Sequence, residues 1–322
     1  MHTPKFKYKS PKMSKPATRR SIKSFLKTTG VRPKRALGQN FLTSKAISQK
    51  IIAAAEVGPS DIILEIGPGL GSLTLSLAKK AKKVIAIEKD QNLSNTLKDM
   101  LEREKIENVE VLNRDVLNFQ FSPQRHSEGA RRPKNLNKIN NGDSSAIRPQ
   151  NDKIKFLNNA NYKLVANLPY NIATAVIMKF LEAENPPELM VVMTQKEVGQ
   201  RMCAKPPKMS KLAIFTQLYS QPKIVSYVSR KYFYPQPRVN SAILKIKPRI
   251  GQTSTKLFSK IVNAGFTQPR KQLINNLTMG LNLTREAVMG WLNRNNIKPT
   301  QRAECLSVND WLKLADTFPY NL

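Results

Sequence analysis

Histidine is close to absent from this chain. Only His2 and His126 occur in 322 residues, and both fall in polar stretches without periodicity. That scarcity argues against a Ser-His-Asp triad, a histidine general base or a His-ligated metal. Cysteine is equally sparse. Cys203 and Cys305 lie far apart, with no CxxC spacing, so neither a disulfide framework nor a zinc cluster is expected, and a reducing compartment suits the chain. No apolar run approaches the roughly 20 residues that would span a bilayer. Acid is the last shortage, with 22 Asp and Glu against 54 Lys and Arg, for a formal net charge of +32.

What the charge implies depends on where it sits. Residues 1–35 hold 12 basic residues and no acid, and residues 122–161 add a further +5. About +15 therefore remains on the presumed folded body. A body that basic calls for a polyanionic partner, most often nucleic acid. Residues 1–30 are Lys-rich and broken by Pro4, Pro11 and Pro16, and read as a disordered basic arm. A mitochondrial presequence would favour Arg and an amphipathic helix, so a cytoplasmic protein is the expectation.

From residue 31 the pattern becomes regular. Ser44 opens a helix with Ile47, Ile51, Ile52 and Ala55 on one face, and Gly58-Pro59 closes it. Strands are expected at 61–66, 83–88 and 109–112, with helices between them. That alternation implies a mostly parallel sheet. The polar stretch 122–161 interrupts it and reads as a flexible insertion, because the pattern resumes at Tyr162. Strands at 162–166 and 189–193 follow, then helices, then two β-rich runs at 222–229 and 239–247 that suggest an antiparallel hairpin at the sheet edge. From about 251 the pattern is helical, as for a separate small all-α domain, 251–322. The fold class is α/β: a Rossmann-like domain over 31–250 and that helical domain behind it.

Three features at successive strand ends carry chemistry. Glu65-Ile66-Gly67-Pro68-Gly69-Leu70-Gly71 has GxGxG spacing; glycines there let backbone approach a ligand beneath a helix N-terminus. The carboxylate two positions before Gly67 suits the sulfonium cation and amino-acid tail of S-adenosylmethionine better than a pyrophosphate. Glu88 ends the second strand, where an acid can accept both ribose hydroxyls. Asp115 follows the third and could accept from an adenine amino group. Taken singly, Glu88 could be a solvent-facing cap and Asp115 a turn acid; in series they point to a nucleoside cofactor.

The fourth strand runs into Asn167-Leu168-Pro169-Tyr170. Asn167 offers a side-chain oxygen, Leu168 a backbone carbonyl, Pro169 a stiff turn and Tyr170 a flat face. An amine on an aromatic ring could donate to both oxygens while its ring stacks on Tyr170. The plainer alternative is a helix cap followed by a shaped turn. Phe233, within Tyr232-Phe233-Tyr234-Pro235, is either a second base-stacking face or an apolar plug.

Beyond these motifs the chain resembles the KsgA-type ribosomal RNA adenine N6,N6-dimethyltransferases. The likeness rests also on Leu37-Gly38-Gln39-Asn40-Phe41-Leu42, on Gln195-Lys196-Glu197-Val198, on Phe233-Tyr234-Pro235-Gln236-Pro237-Arg238-Val239-Asn240-Ser241-Ala242 and on Pro299-Thr300-Gln301-Arg302-Ala303-Glu304. It implies that Asn40, Leu42, Gly67, Gly69, Glu88, Asp115 and Asn167 line an S-adenosylmethionine pocket. It implies that Asn167 orients the target amine, and that Tyr170 and Phe233 sandwich an extruded adenine. The implied substrate is two adjacent adenines in the 3′-terminal hairpin of small-subunit rRNA, on an immature subunit, with the enzyme acting as a monomer and without a metal or membrane. Two other readings stay open: an erythromycin-resistance-type methyltransferase of large-subunit RNA, and a non-catalytic RNA- or DNA-binding relative.

Overall fold

A computed structural model describes residues 19–118, 161–249 and 254–319. The expected insertion, 122–161, lies outside the described residues apart from its last position. The order begins α1 (Arg19–Thr29), β1 (Phe41–Leu42), α2 (Lys45–Ala54), β2 (Ile62–Ile66), α3 (Thr74–Ala78), β3 (Lys83–Glu88), α4 (Gln91–Arg103) and β4 (Val109–Asn113). It continues β5 (Lys163–Asn167), α5 (Ala173–Leu181), β6 (Leu189–Gln195), α6 (Lys196–Met202), α7 (Lys211–Tyr219), β7 (Ser220–Val228), β8 (Phe233–Tyr234) and β9 (Ser241–Pro248). Four further helices close the chain: α8 (Lys256–Gly265), α9 (Leu273–Leu281), α10 (Arg285–Arg294) and α11 (Val308–Asp316).

Seven strands form one sheet in the order β4-β3-β2-β5-β6-β9-β7. β2 to β6 run parallel, β9 adds antiparallel to β6, and β7 at the edge pairs antiparallel with β9. The parallel strands read as continuous apolar runs because both faces are covered. Period two then sorts them. Leu64, Ile85, Leu164 and Val192 pack on one side with α5 and α7. Ile63, Val84, Val165 and Val191 pack on the other with Ile47, Ile51 and Ile52 of α2 and Leu77 of α3. The helix α2 has the expected buried face, but it ends at Ala54, with Glu56 at φ 50 ahead of Gly58-Pro59. Ser44 sits at its N-cap without a side-chain cap bond.

The strand order decides where a ligand can go. Connections from β2 move outward one way, through β3 and β4, and those from β5 move the other way. The crevice above the carboxyl ends of β2 and β5 is thus the switch point at which open α/β sheets bind ligands.

Two expectations need correction. The basic arm was expected to be disordered over 1–30; residues 19–29 instead form α1. Ile22, Phe25 and Leu26 recur on one helix face, are buried, and pack with Phe41, Leu70 and Leu93. Burying three large apolar side chains, at about 1.5–3 kcal/mol each, offsets the weak intrinsic stability of an 11-residue helix. Residues 1–18 lie outside the described residues. The helical region was expected as a separate domain; its core is continuous with that of the sheet, and Phe258 of α8 meets Phe215 of α7 edge-on, 6.1 Å between centroids.

Candidate active site at the sheet's switch point

A cavity opens at that switch point, and the loops after β2, β3, β4 and β5 all reach it. Each delivers one part. Gly67 and Gly69 stand at φ 68 and 57, left-handed values that favour glycine. A Cβ on Gly67 would lie 3.2 Å from the Pro169 ring, and one on Gly69 3.1 Å from the Phe41 ring. Side chains there would wedge the glycine loop away from the turn after β5 and from β1.

Glu88 ends β3 and is nearly fully buried. Its Oε2 accepts from the Gly69 N–H at 3.1 Å and its Oε1 from the Asp90 N–H at 2.8 Å. Burial raises its carboxyl above the ordinary range, against those two backbone donors. Each oxygen keeps a further acceptor site for a ligand hydroxyl. Asp115 lines the same cavity and pairs with Lys89 at 2.8 Å. That ammonium holds its carboxyl below the usual range, so it is an ionised acceptor.

Glu65 behaves differently. It is 1% exposed, and Oε2 has no hydrogen-bond partner. Burial pushes its pKa up to about 8, against a weaker pull from the Thr74 hydroxyl beside it. An unpartnered buried carboxyl oxygen in a ligand cavity asks for a cationic donor. A sulfonium with an ammonium tail fits that demand, and a pyrophosphate does not.

On the opposite wall, Asn167 Nδ2 donates to the Asn40 carbonyl at 3.2 Å. A carbonyl can only accept, so this bond fixes which end of the amide is nitrogen and leaves Oδ1 as its uncommitted acceptor. The Leu168 N–H bonds to the Met193 carbonyl at 3.1 Å, which holds the turn on the sheet. Tyr170 is half-buried, and its hydroxyl lies 2.6 Å from Ser241 Oγ. Asn40, Leu42, Gly67, Gly69, Glu88 and Asp115 all line the cavity, together with the whole turn Asn167 to Tyr170.

Phe233 does not, and the expected sandwich with Tyr170 is corrected here. The side chain is 0% exposed. β8 pairs antiparallel with β1, Leu42 opposite Phe233 and Phe41 opposite Tyr234. Paired residues share a face, so Leu42 and Phe233 enter one core with Val228 and Ile243, while Phe41 and Tyr234 turn toward α1. In this structure Phe233 is the plug, and of the two rings expected to hold the base only Tyr170 lines the cavity.

Sequence reasoning missed three lining residues. Gln39 donates to Asp90, and Asp90 also pairs with Lys34 at 2.9 Å and caps α4 through the Asn92 N–H. Burial alone would raise the Asp90 carboxyl, but Lys34 and Gln39 hold it low. Its position before α4 was the available signal. Asn171 donates to the Ala36 carbonyl at 3.1 Å, a contact across 135 residues that no local pattern announces. Arg114 lines the cavity with a buried, unpartnered Nε.

Comparison with known proteins gives consistent results. Residues 30–319 match the family described as ribosomal RNA adenine dimethylase. A ribosomal RNA small subunit methyltransferase A from Dehalococcoides mccartyi is 37% identical over 310 residues, 95% of each chain. Among solved structures, a dimethyladenosine transferase from Plasmodium falciparum superposes with a TM-score of 0.63 at 27% identity, over 85% of this chain and 95% of that one. The 23S rRNA methyltransferase ErmE gives 0.61 at 24% identity, over 86% and 99%, a likeness of fold.

Proposed function

Because the chain belongs to the ribosomal RNA adenine dimethylase family, we infer that it transfers methyl groups from S-adenosylmethionine to adenine N6 of small-subunit rRNA, twice at each base. The two target adenines of this reading are adjacent, in the 3′-terminal hairpin of the small-subunit RNA. The observation that carries it is the bond from Asn167 Nδ2 to Asn40, which leaves Asn167 Oδ1 as an uncommitted acceptor in a cavity-lining turn whose next residue, Leu168, offers a backbone carbonyl.

When bound, the cofactor supplies an electrophilic methyl group on a cationic sulfur. Gly67 and Gly69 would admit its backbone-hugging part, Glu88 would accept from ribose hydroxyls, Asp115 would accept from its adenine amine, and Glu65 would face its positive charge. The rest is the work of the turn. Adenine N6 is a poor nucleophile because its lone pair is delocalised into the ring. In the first transfer, two N–H bonds to Asn167 Oδ1 and the Leu168 carbonyl would favour a more pyramidal nitrogen; in the second, the one remaining N–H would keep one of them. These bonds also fix the nitrogen's direction, and orientation of this kind supplies most of the acceleration. The amine proton becomes acidic only as the new bond forms, so no strong base is required. The adenine must leave its stack, and Tyr170 replaces part of what it loses, about 1–3 kcal/mol per base.

The same reading has the enzyme act as a monomer in the cytoplasm, on an immature small subunit. Among the described residues no helix is long and apolar enough to cross a membrane. The test is to incubate the protein and labelled cofactor with immature small subunits and, separately, with naked large-subunit RNA, and to locate dimethyladenosine by mass spectrometry. Label on adjacent adenines of the small-subunit RNA is the expected result. Label confined to large-subunit RNA, or no transfer at all, overturns it.

A further inference from the structure

A second, shallower recess is linked to Tyr170 of the active-site cavity through Ser241, whose neighbour Asn240 lines it. Lys196 and Gln200 of α6 form one side, and Arg230, Arg238 and Asn240 form the other; Glu197 also lines it. A short chain of contacts joins it to the Tyr170 ring. The Tyr170 hydroxyl bonds to Ser241, and Ser241 pairs with Gln195 across β6 and β9. The next residue, Asn240, accepts the Lys196 N–H at its carbonyl, 2.9 Å, and the Arg230 N–H at Oδ1, 3.1 Å.

Three cations and one carboxylate, Glu197, line the recess, which leaves it net positive. The Arg230 guanidinium donates to the Arg238 carbonyl at 3.3 Å, which draws two positively charged loops together. Among the described residues Lys196, Arg230 and Arg238 make no ion pair. The Lys196 ammonium sits 5.0 Å from the Tyr227 ring centroid, and Tyr227 is 51% exposed on the edge strand β7. Like charges held close together, next to an exposed flat ring, match the two halves of a nucleotide: a phosphate for the cations and a base for the ring.

We propose that this recess binds the phosphate that links the target adenosine to its neighbour, with the neighbour's base on Tyr227. Held there, the flanking nucleotide fixes the backbone while the target base swings out to Tyr170. The proposal rests on the adenine-methylation reading of the main cavity. It assigns Lys196, Arg230 and Arg238 to the substrate and leaves the cofactor cavity untouched.

The experiment uses the full chain and an RNA hairpin carrying the small-subunit target. Arg238→Gln and Lys196→Gln are compared with Lys80→Gln, an exposed residue after α3. Binding is measured across salt concentrations, alongside thermal melting and cofactor affinity without RNA. For each recess variant we expect severalfold weaker RNA binding and a log K against log salt slope shallower by about 0.7, the loss of one single-strand phosphate contact. Tyr227→Ala should weaken binding with the slope unchanged. Cofactor affinity and melting should match the parent. Recess variants that behave like Lys80→Gln overturn the proposal. A parent protein that binds the hairpin but methylates no RNA overturns the reading of the main cavity instead, while the slopes still decide the recess.

Discussion

The cofactor side and the base side of this active site are built by different kinds of strand. On the wall assigned to the cofactor, β2, β3 and β4 are parallel neighbours, and the carboxyl end of each leads into a cavity-lining residue: the glycine loop, Glu88 and Asp115. On the base side, the turn after β5 meets a two-residue ribbon, β1 with β8, and the antiparallel β9. A parallel sheet places every carboxyl end at one edge, so order along the chain becomes proximity in space. Antiparallel ribbons carry no such rule. Which face a residue shows depends on its partner, and Phe233 has its partner in Leu42, at the other end of the domain.

The sharpest way to break this division is at the residue both sides share. Asn167 is held by Asn40, on the wall assigned to the cofactor, and in the proposed reaction its Oδ1 faces the substrate. Asn167→Ala should lower kcat by about 100-fold or more, since a misplaced reacting group alone costs that much. Melting temperature should change little, because the side chain is only half-buried. A variant that methylates at the parent rate would remove Asn167 from the mechanism.

Next come the two aromatics. Tyr170→Ala should weaken use of RNA by about 5- to 150-fold, the equivalent of 1–3 kcal/mol of lost stacking. Phe233→Leu keeps apolar volume in the core it fills with Val228 and Ile243, and volume-conserving swaps cost less than about 1.5 kcal/mol. Its activity should stay near the parent's. If Phe233→Leu falls as far as Tyr170→Ala without loss of melting temperature, the ring does reach the base, and the closed arrangement seen here opens during the reaction.

A third test concerns Glu65. In the free protein burial holds its pKa at about 8. A bound cation favours the carboxylate, so cofactor binding should release a proton below that pH. Affinity should therefore rise with pH, by up to about tenfold per unit, and level off above 8. Glu65→Gln should flatten the profile. The sign for stability is opposite. A carboxyl with a raised folded pKa costs stability as pH climbs from its ordinary 4.5 to about 8, so Glu65→Gln should also flatten melting temperature over that window. Calorimetry in buffers of different ionisation enthalpy reads the proton directly; no proton release at pH 7 sinks the assignment.

The same contrast explains what was legible in the sequence. Gly67, Glu88, Asp115 and Asn167 were readable because strand ends are marked locally, by the end of an apolar run. The edge hairpin of β7 and β9 was readable from spacing. Phe233 was not, since its burial is settled by pairing with Leu42. Gln39 and Asn171 reach across 51 and 135 residues, and nothing local encodes such reach. The helix α1 was hidden for another reason. Lysines and prolines upstream set the composition of the whole segment, and they masked a three-residue apolar face at Ile22, Phe25 and Leu26.

That helix gives the mildest test. Phe25 is 2% exposed and packs in one cluster with Phe41, Leu70 and Leu93, all three of which also line the cofactor cavity. The basic residues Arg20, Lys23 and Lys27 stay on the exposed face. So α1 braces the wall of the cavity from behind without touching the site. Phe25→Ala removes a core side chain whose loss typically costs about 3–5 kcal/mol, yet the helix is a peripheral unit and can undock by itself. Cofactor affinity should fall by less than about tenfold, because the glycine loop keeps its hydrogen bond to Glu88 and its close approach to Pro169. Hydrogen exchange should show protection lost in α1 and kept in β2 to β6. Unchanged affinity would mean that the cavity wall needs no brace, and loss of protection throughout the sheet would make α1 part of the global core.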